Sequence, residues 1–375
     1  MIVYWSIFIY TTLVSYFCVF VNRNRSYAGI NSNEEMYSRV GIIGALVSLA
    51  LLIYFAGMRT YIADTSSYIS SFTKEARTLS DIPGMFFSDE KGILFSVFKV
   101  FFKNCISSNF QYWLMFIAIF QGFAIAHFYS KYSTDFNFSC YLFIASGSFV
   151  WMINGMRQFI AVCIILLAMK FLFNRKIVPF FIFVFIAMLF HSTAIMWFVF
   201  YFVVHGKPFN KKVIISICVA IVCVVFVDQF TDLLEFGLKE TNYSEATKQF
   251  SEDDGVNPVT TLLYAIPVII AFWKRKVIMS MDPPRYIQVL INMSCITVAI
   301  SLVGNFTSGI LIGRLPIYFS LANFVLLPWL IKYCFLDKDK IFVKACCYIG
   351  YFCYFLYYMY IANNGMRYMS TFISV

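Results

Sequence analysis

Long apolar runs separated by short polar loops make up most of the 375-residue chain. Most of these runs approach the roughly 20 apolar residues that a helix needs to cross a hydrocarbon core of about 30 Å. Two of them, 177–190 and 261–273, are short for a full crossing and are expected to be tilted, broken or re-entrant. The pattern predicts an all-α, polytopic membrane helical bundle with about ten to twelve transmembrane segments, organised as a single transmembrane domain over residues 1–375. The runs cover residues 2–21, 40–57, 111–129, 138–153, 158–173, 177–190, 193–205, 213–227, 261–273, 287–303, 315–331 and 341–361.

Two longer segments interrupt the apolar runs, and both are predicted to be external. Residues 58–110 contain an apolar stretch from Gly92 to Phe102 that carries Lys99 and is long enough for an interfacial or re-entrant helix. Residues 228–260 are rich in acidic side chains and predict a mobile loop or a short helix.

Composition supports a membrane protein without a sizeable soluble domain. Hydrophobic residues make up 61% of the chain and charged residues 13%, whereas soluble domains carry about 25% charged residues. The net charge of +10 does not indicate a nucleic-acid partner, because the basic residues lie in short loops between apolar runs. The eleven cysteines include no CxxC pair, so they give no sign of a metal or redox site.

The distribution of charge predicts the orientation. If the N-terminus is outside, alternate loops hold 17 of the 29 basic residues and are cytoplasmic by the positive-inside rule, while the opposite loops hold 13 of the 19 acidic residues. Cationic side chains that persist at the outer membrane boundary usually face a cavity or an anionic partner. We therefore expect a cavity open to the outer leaflet. The charged or titratable residues at non-cytoplasmic span ends are Asp64, Arg157, His191, Arg314 and Arg367.

The most informative polar island is Asn154-Gly155-Met156-Arg157-Gln158, which interrupts a long apolar stretch. Gly155 permits a tight turn between two spans, after which Arg157 and Gln158 open the next helix. A guanidinium beside the backbone amides of a helix N-terminus suits a diphosphate. The alternative is that Arg157 only extends to the lipid headgroups, a role in which lysine would serve equally well.

Two further islands lie at the ends of later spans. His191, followed by Ser192, would act as a general base or as a hydrogen-bond donor to phosphate, or it would be a neutral histidine satisfied by a backbone carbonyl. Arg314 begins another span, with Pro316 in the first turn, where proline is tolerated. A second cation on the same side of the membrane favours an anionic ligand there.

The first external segment holds a fourth cluster, Arg59, Asp64 and Tyr68, and further on Glu90. Asp64 would either pair with an arginine or deprotonate a hydroxyl, and the sequence leaves both open. No P-loop, Rossmann glycine fingerprint or HExxH motif is present in the sequence, so a nucleotide-driven pump or a soluble-type sugar-nucleotide transferase has no visible apparatus.

In their order along the chain, these islands resemble the EpsG/Wzy-like family of bacterial surface-polysaccharide polymerases. The resemblance covers about residues 55–325. The family often has glycine before the aspartate and an aromatic residue after Glu-x-Gly, where this chain has Ala63 and Ile93. The matching motifs are Gly57-x-Arg59-(x)4-Asp64-(x)3-Tyr68, Glu90-x-Gly92, Asn154-Gly155-x-Arg157-Gln158, His191-Ser192-x-Ala194 and Arg314-(x)3-Tyr318-Phe319.

The resemblance implies a metal-independent and cofactor-free glycosyltransferase with a GT-C-like fold in the bacterial inner (plasma) membrane. Its substrate would be oligosaccharide repeat units linked to undecaprenyl diphosphate. It would transfer the growing glycan to the non-reducing end of the next lipid-linked unit at the periplasmic or exterior face. The expected partners are this lipid-linked oligosaccharide, membrane lipids and a chain-length regulator.

The resemblance also assigns roles to the islands. Asp64, Glu90, His191 and Arg157 are the catalytic candidates, and Tyr68 and Asn154 are the candidates for binding the acceptor. The diphosphate-binding candidates are Arg59, Arg157, Gln158, Arg314 and Tyr318.

Three alternatives remain open at this point. Another lipid-linked glycosyltransferase or an O-antigen ligase would use outward-facing arginines in the same way, and would differ by not making a ladder of chain lengths. A transporter of lipid-linked oligosaccharide would be expected to show internal repeats and charges at the membrane midplane, which this sequence does not show clearly. A purely structural membrane subunit would explain the hydropathy but not the polar islands on one side.

Overall fold

The computed structural model describes residues 1–26, 40–88, 90–226, 236, 256–307, 312–362 and 367–370, and these are almost entirely helical. The predicted acidic loop 228–260 lies outside the described residues except for Phe236 and 256–260. The helices of the described ranges are α1 Ile2–Ser26, α2 Ile42–Met58, α3 Thr65–Thr73, α4 Ile82–Met85, α5 Ile93–Cys105, α6 Phe110–Tyr132, α7 Phe136–Ala145, α8 Met156–Phe173, α9 Ile177–Phe190, α10 Trp197–Val204, α11 Lys211–Val225, α12 Pro258–Trp273, α13 Arg275–Ser280, α14 Arg285–Asn305, α15 Ile317–Ser320, α16 Asn323–Cys334 and α17 Asp337–Tyr357. Two short strands accompany them, β1 Arg59–Tyr61 and β2 Met369–Ser370.

The lengths of the apolar helices fit a protein that spans a membrane repeatedly. Within the described ranges, six helical segments are long and apolar enough to cross a bilayer, and five apolar helices of 10–17 residues are shorter. The prediction of an all-α polytopic membrane protein is therefore confirmed. The orientation, the outer-leaflet cavity and the number of full crossings remain predictions. The six long segments are Ile2–Asn22, Phe110–Tyr132, Met156–Phe173, Arg285–Asn305, Ile317–Cys334 and Asp337–Ala362.

One predicted span, 138–153, is broken rather than continuous. Helix α7 ends at Ala145, and the chain resumes as a 3-10 helix over Ser148–Met152. Gly147 between them has φ +73°, a left-handed conformation that a right-handed helix cannot contain. A β-carbon at Gly147 would lie 2.6 Å from the Tyr358 ring, so the break also allows close packing there.

The chain divides into two compact units, and the first comprises Met1–Phe198 and Ala345–Val375. In this unit α2 packs against α1 and α6, α8 packs against α6 and α9, and α5 packs against α9. Strand β2 pairs antiparallel with β1, with Arg59 opposite Ser370. The Tyr368 hydroxyl donates to the Phe55 carbonyl at 2.9 Å. These contacts attach the segment 367–370 to the end of α2.

The second unit, Val199–Lys344, is built around α14, which packs against α11, α12, α15 and α16. Asn292 on α14 is fully buried and holds the loop that follows α10. Its amide nitrogen donates to the Val204 carbonyl at 2.9 Å, and its oxygen accepts from the Phe209 amide at 3.0 Å. A buried amide with both ends satisfied fixes the register of the loop against the helix.

The predicted external segment 58–110 contains β1, α3, α4 and α5. The apolar stretch predicted as an interfacial or re-entrant helix is helical, as α5, and its location at the membrane interface remains a prediction. Ala63, at the position where the family often has glycine, has φ +42°. The backbone thus keeps a left-handed turn before Asp64 even though the residue here has a side chain.

Candidate functional site

The start of α8 has the geometry that the Asn154–Gln158 island predicts. Gly155 is the N-cap of α8 and has φ +75°, and Arg157 is the second residue of the helix. Glycine at the N-cap supplies no side chain to accept hydrogen bonds from the amides of the first turn, as serine or aspartate would. The helix N-terminus therefore presents partial positive charge beside the Arg157 guanidinium.

Arg157 is half-buried and unpaired within the described residues. Its Nε atom is buried without a hydrogen-bond partner there, as is Oδ1 of Asn154. The nearest aromatic contact of the guanidinium is the Phe95 ring, with Cζ 5.9 Å from the ring centroid. A buried donor without an acceptor costs about 1–3 kcal/mol, so this arrangement favours a site that binds an anion.

Two other sequence islands meet at the Arg157 guanidinium. Gly92 has φ +71° and lies so close to the end of α9 that an added β-carbon would be 2.7 Å from the Phe190 carbonyl oxygen. The same β-carbon would be 3.7 Å from Arg157 Nη1. Glu90-x-Gly92, Arg157 and Phe190-His191 are thus neighbours, although about a hundred residues separate the first from the last.

His191 follows the last residue of α9 and is the N-cap of the 3-10 helix Ser192–Met196. Its Nδ1 is 2.7 Å from the Thr193 hydroxyl, which orients the ring. The residue as a whole is half-buried. The structure places His191 beside the Gly92–Arg157 contact through Phe190, and its catalytic role remains a prediction.

Glu90 is exposed and paired, which separates it from the other candidate bases. Its Oε1 is 2.5 Å from Arg77 Nη1. Arg77 in turn donates from Nε to Glu75 at 2.8 Å, and Lys99 Nζ lies 2.9 Å from the same Glu75 carboxylate. The network Lys99–Glu75–Arg77–Glu90 thereby connects α5 to the loops on either side of α4.

Glu75 carries the most perturbed carboxylate of this network. Its side chain is 5% exposed, and the hydrogen bond from Arg77, reinforced by Lys99, lowers the pKa of the Glu75 carboxyl from 4.5 to about 2. Sequence reasoning missed Glu75 and Arg77. The available signal was Lys99 itself, because a lysine within an apolar helix needs a buried counter-charge.

Asp64 and Tyr68 lie one turn apart at the start of α3. Asp64 is exposed and is the N-cap residue, but its side chain makes no capping hydrogen bond. The Tyr68 ring packs edge-to-face on Phe95, with centroids 5.8 Å apart. Since Phe95 also contacts Arg157, one aromatic ring connects the Asp64–Tyr68 turn to the arginine.

Arg59 is 1% exposed, and its side chain connects three helices. Its guanidinium donates to the Ala56 carbonyl and, from Nε, to the Thr65 hydroxyl at 3.1 Å, while Nη2 lies 3.1 Å from the Met156 sulfur. Arg59 therefore joins the end of α2, the start of α3 and the start of α8. This geometry favours a positioning role over direct contact with a diphosphate.

The remaining candidates have different surroundings. Gln158 is buried next to Arg157 on α8. Arg314, which is half-buried, and Tyr318, which is buried, belong to the second unit, at the turn that leads into α15. Their roles in diphosphate binding remain predictions. Within the described ranges, no group of three or more His, Cys, Asp or Glu side chains is placed to hold a metal ion.

A sequence model of the EpsG family matches residues 42–373, which is nearly the whole chain. The chain belongs to the EpsG family. This assignment confirms the family that the ordered islands indicated, and the matched range also includes β2 and the contact of Tyr368 with α2. Comparisons with curated proteins and with solved structures give no match.

Proposed function

We propose that this EpsG-family protein is a polysaccharide polymerase. It would transfer a growing glycan from undecaprenyl diphosphate to the non-reducing end of the next lipid-linked repeat unit, at the outer face of the bacterial inner membrane. Membership of the EpsG family supports a role in polysaccharide polymerisation. The observation that carries the proposal is Arg157 at the N-terminus of α8, where the Gly92 and Phe190 motifs converge and where Nε of Arg157 has no hydrogen-bond partner among the described residues.

The chemistry of the reaction fits this site. The oxygen of the acceptor hydroxyl attacks the anomeric carbon of the donor sugar, and a glycosidic bond forms as the bond from that carbon to the diphosphate oxygen breaks. The hydroxyl proton passes to a base, and undecaprenyl diphosphate leaves with the electron pair. Negative charge therefore develops on a diphosphate at the membrane boundary. A guanidinium and a helix N-terminus stabilise such charge, which is a term that often dominates catalysis.

The three candidate bases, Glu90, Asp64 and His191, differ in the contacts they make, and these contacts favour one of them as the proton acceptor. Glu90 is already paired with Arg77, which restricts its movement. Asp64 has no ion-pair partner in the described part of the chain. It lies one turn before Tyr68, whose ring packs on Phe95, and Phe95 in turn contacts the Arg157 guanidinium. We therefore propose Asp64 as the base, with His191 orienting the acceptor or the diphosphate.

Purified protein with a synthetic lipid-linked repeat unit tests this proposal. Arg157→Ala should lower the rate of polyprenyl diphosphate release about 10²–10³-fold, the loss found when one donor to a developing oxyanion is removed. The rate of Arg157→Lys should lie between those of wild type and Arg157→Ala, since lysine keeps the charge but not the bidentate geometry. Arg275→Ala, which removes an exposed arginine of α13, is the matched control and should leave the rate unchanged.

The products distinguish the proposal from its alternatives. Oligomers of increasing length, formed only by protein with Arg157 intact, support a polymerase. Transfer of one finished chain to a different acceptor indicates a ligase, and movement of intact lipid-linked units without bond cleavage indicates a transporter. Full activity in Arg157→Ala contradicts the assigned role of the arginine.

A further inference from the structure

A groove of about 250 Å³ runs along the first unit beside α8, and its described lining is entirely apolar. Helix α5 contributes Phe98 to its wall, and α9 contributes its last residue. The other walls come from α6 and α8. The residues that line the groove include Phe98, Phe116, Phe120, Ile160, Ile164 and Phe190.

The groove continues directly from the Arg157 site. Arg157, Ile160 and Ile164 are spaced i, i+3 and i+7 on α8 and so lie on one face of the helix. At 1.5 Å per residue, Ile160 and Ile164 lie about 5 and 10 Å from Arg157 along the helix axis. Phe190 is shared by both features, because its carbonyl contacts Gly92 while its side chain lines the groove.

We infer that this groove holds the first isoprene units of the donor's polyprenyl chain while Arg157 binds the diphosphate, an inference that rests on the proposed function. A single polyprenyl chain attached to a diphosphate matches one apolar groove that begins at one cationic site. A diacyl phospholipid carries two chains, which match a single groove of about 250 Å³ on one face of α8 less well.

The groove would orient the donor more than it would bind it. Lipid tails are as apolar as the groove, so a polyprenyl chain gains little hydrophobic free energy by leaving the bilayer. Aromatic walls on three helices do, however, restrict the direction from which the chain approaches Arg157. Fixing the diphosphate relative to the acceptor in this way lowers the entropic part of the barrier.

Photolabelling of the full-length protein in nanodiscs tests the inference. The probe is an undecaprenyl diphosphate analogue with a diazirine on an isoprene unit near the diphosphate. Peptides that carry Phe98, Ile160 or Ile164 should be labelled about tenfold more than the peptide that carries Tyr54, which corresponds to a preference of about 1.4 kcal/mol. Tyr54 is a matched reference because it is 45% exposed and lies on α2, of which no residue lines the groove, near the helix end that Arg59 joins to the start of α8.

Two variants sharpen the result. Ile164→Trp fills the groove and should abolish the preference, whereas Tyr54→Trp should preserve it. Unlabelled undecaprenyl diphosphate should compete for the groove peptides, and excess phosphatidylglycerol should not. Uniform labelling of lipid-facing peptides, or equal competition by phosphatidylglycerol, would show that the groove holds bulk lipid and would overturn the inference. The wild-type labelling map decides this even if Ile164→Trp fails to fold.

The labelling experiment tests the groove inference, and the polymerase assay tests the proposed function, so either can be contradicted without the other. Preferential groove labelling in a protein that makes no oligomers supports the polyprenyl site and contradicts the proposed function. Oligomer formation that depends on Arg157, together with uniform labelling, supports the proposed function and contradicts the inference that the groove holds the polyprenyl chain.

Discussion

Replacing Gly92 by alanine tests whether the turn before α5 places Arg157. Gly92 has φ +71°, and left-handed backbone costs an L-residue roughly 1–2 kcal/mol. The added β-carbon would also lie 2.7 Å from the Phe190 carbonyl oxygen, closer than such contacts allow. Overpacking of this kind typically costs about 1–3 kcal/mol. We therefore expect a total destabilisation of about 2–5 kcal/mol, part of it relieved by displacement of Phe190 and Arg157.

Displacement of the guanidinium should affect catalysis more than stability. A shift of about 1 Å in a positioning group can lower a rate about 100-fold. Thermal unfolding in detergent measures the change in stability, and the rate of polyprenyl diphosphate release measures the change in catalysis. Gly84→Ala is the control, because a β-carbon at Gly84 meets nothing within 4 Å and its φ is not left-handed. If Gly92→Ala behaves like Gly84→Ala in both assays, the Gly92–Phe190 contact does not position Arg157.

Two further predictions concern the same segment, residues 58–110. Ala63→Gly should stabilise the protein by about 1 kcal/mol, because Ala63 has φ +42°, and an unchanged or lower Tm would contradict this. Glu75 has a pKa lowered from 4.5 to about 2, so its ionised form contributes about 3 kcal/mol of stability that is present above pH 4.5 and lost as the pH falls toward 2. Glu75→Gln should lower Tm at neutral pH and remove this acid-dependent loss, and thermal unfolding with the same pH profile as wild type would refute the assignment.

The helices were predictable because an apolar run of sufficient length has few alternatives in a membrane. In hydrocarbon, backbone amides and carbonyls must be paired within the segment, so apolar length translates almost directly into helix. The break at Gly147 was not visible in the pattern, because Ser146 and Gly147 are too small to interrupt an apolar run. Its cause is the left-handed backbone and the close Tyr358 ring, neither of which hydropathy reports.

Local features of the candidate site were also predictable from sequence. Glycine followed by a polar pair predicts the turn and the helix start at Gly155 and Arg157, since only adjacent residues are involved. The contacts of Arg59 with Met156 and of Gly92 with Phe190 depend on chain folding over about a hundred residues. The sequence therefore indicated the candidate residues but not that Arg59 is buried between α2, α3 and α8.

The ion-pair network shows the same limit. Glu75, Arg77 and Glu90 are ordinary charged residues of a polar loop in the sequence, and only the buried Lys99 distinguishes them. The groove beside α8 is similarly invisible in the hydropathy pattern, because the four helices that line it, α5, α6, α8 and α9, are apolar on most faces. Packing of α5 and α9 against their neighbours decides which of those faces remains open.

The most direct test of the proposed function is the length distribution of the surface polysaccharide made by the native host. The gene is deleted and complemented with wild type, Arg157→Ala or Arg275→Ala, with protein levels matched in the membrane fraction. We predict that the deletion and Arg157→Ala reduce the ladder on a gel to single repeat units, whereas wild type and Arg275→Ala restore it. A full ladder in the deletion strain, or in the strain that carries Arg157→Ala, would contradict the account.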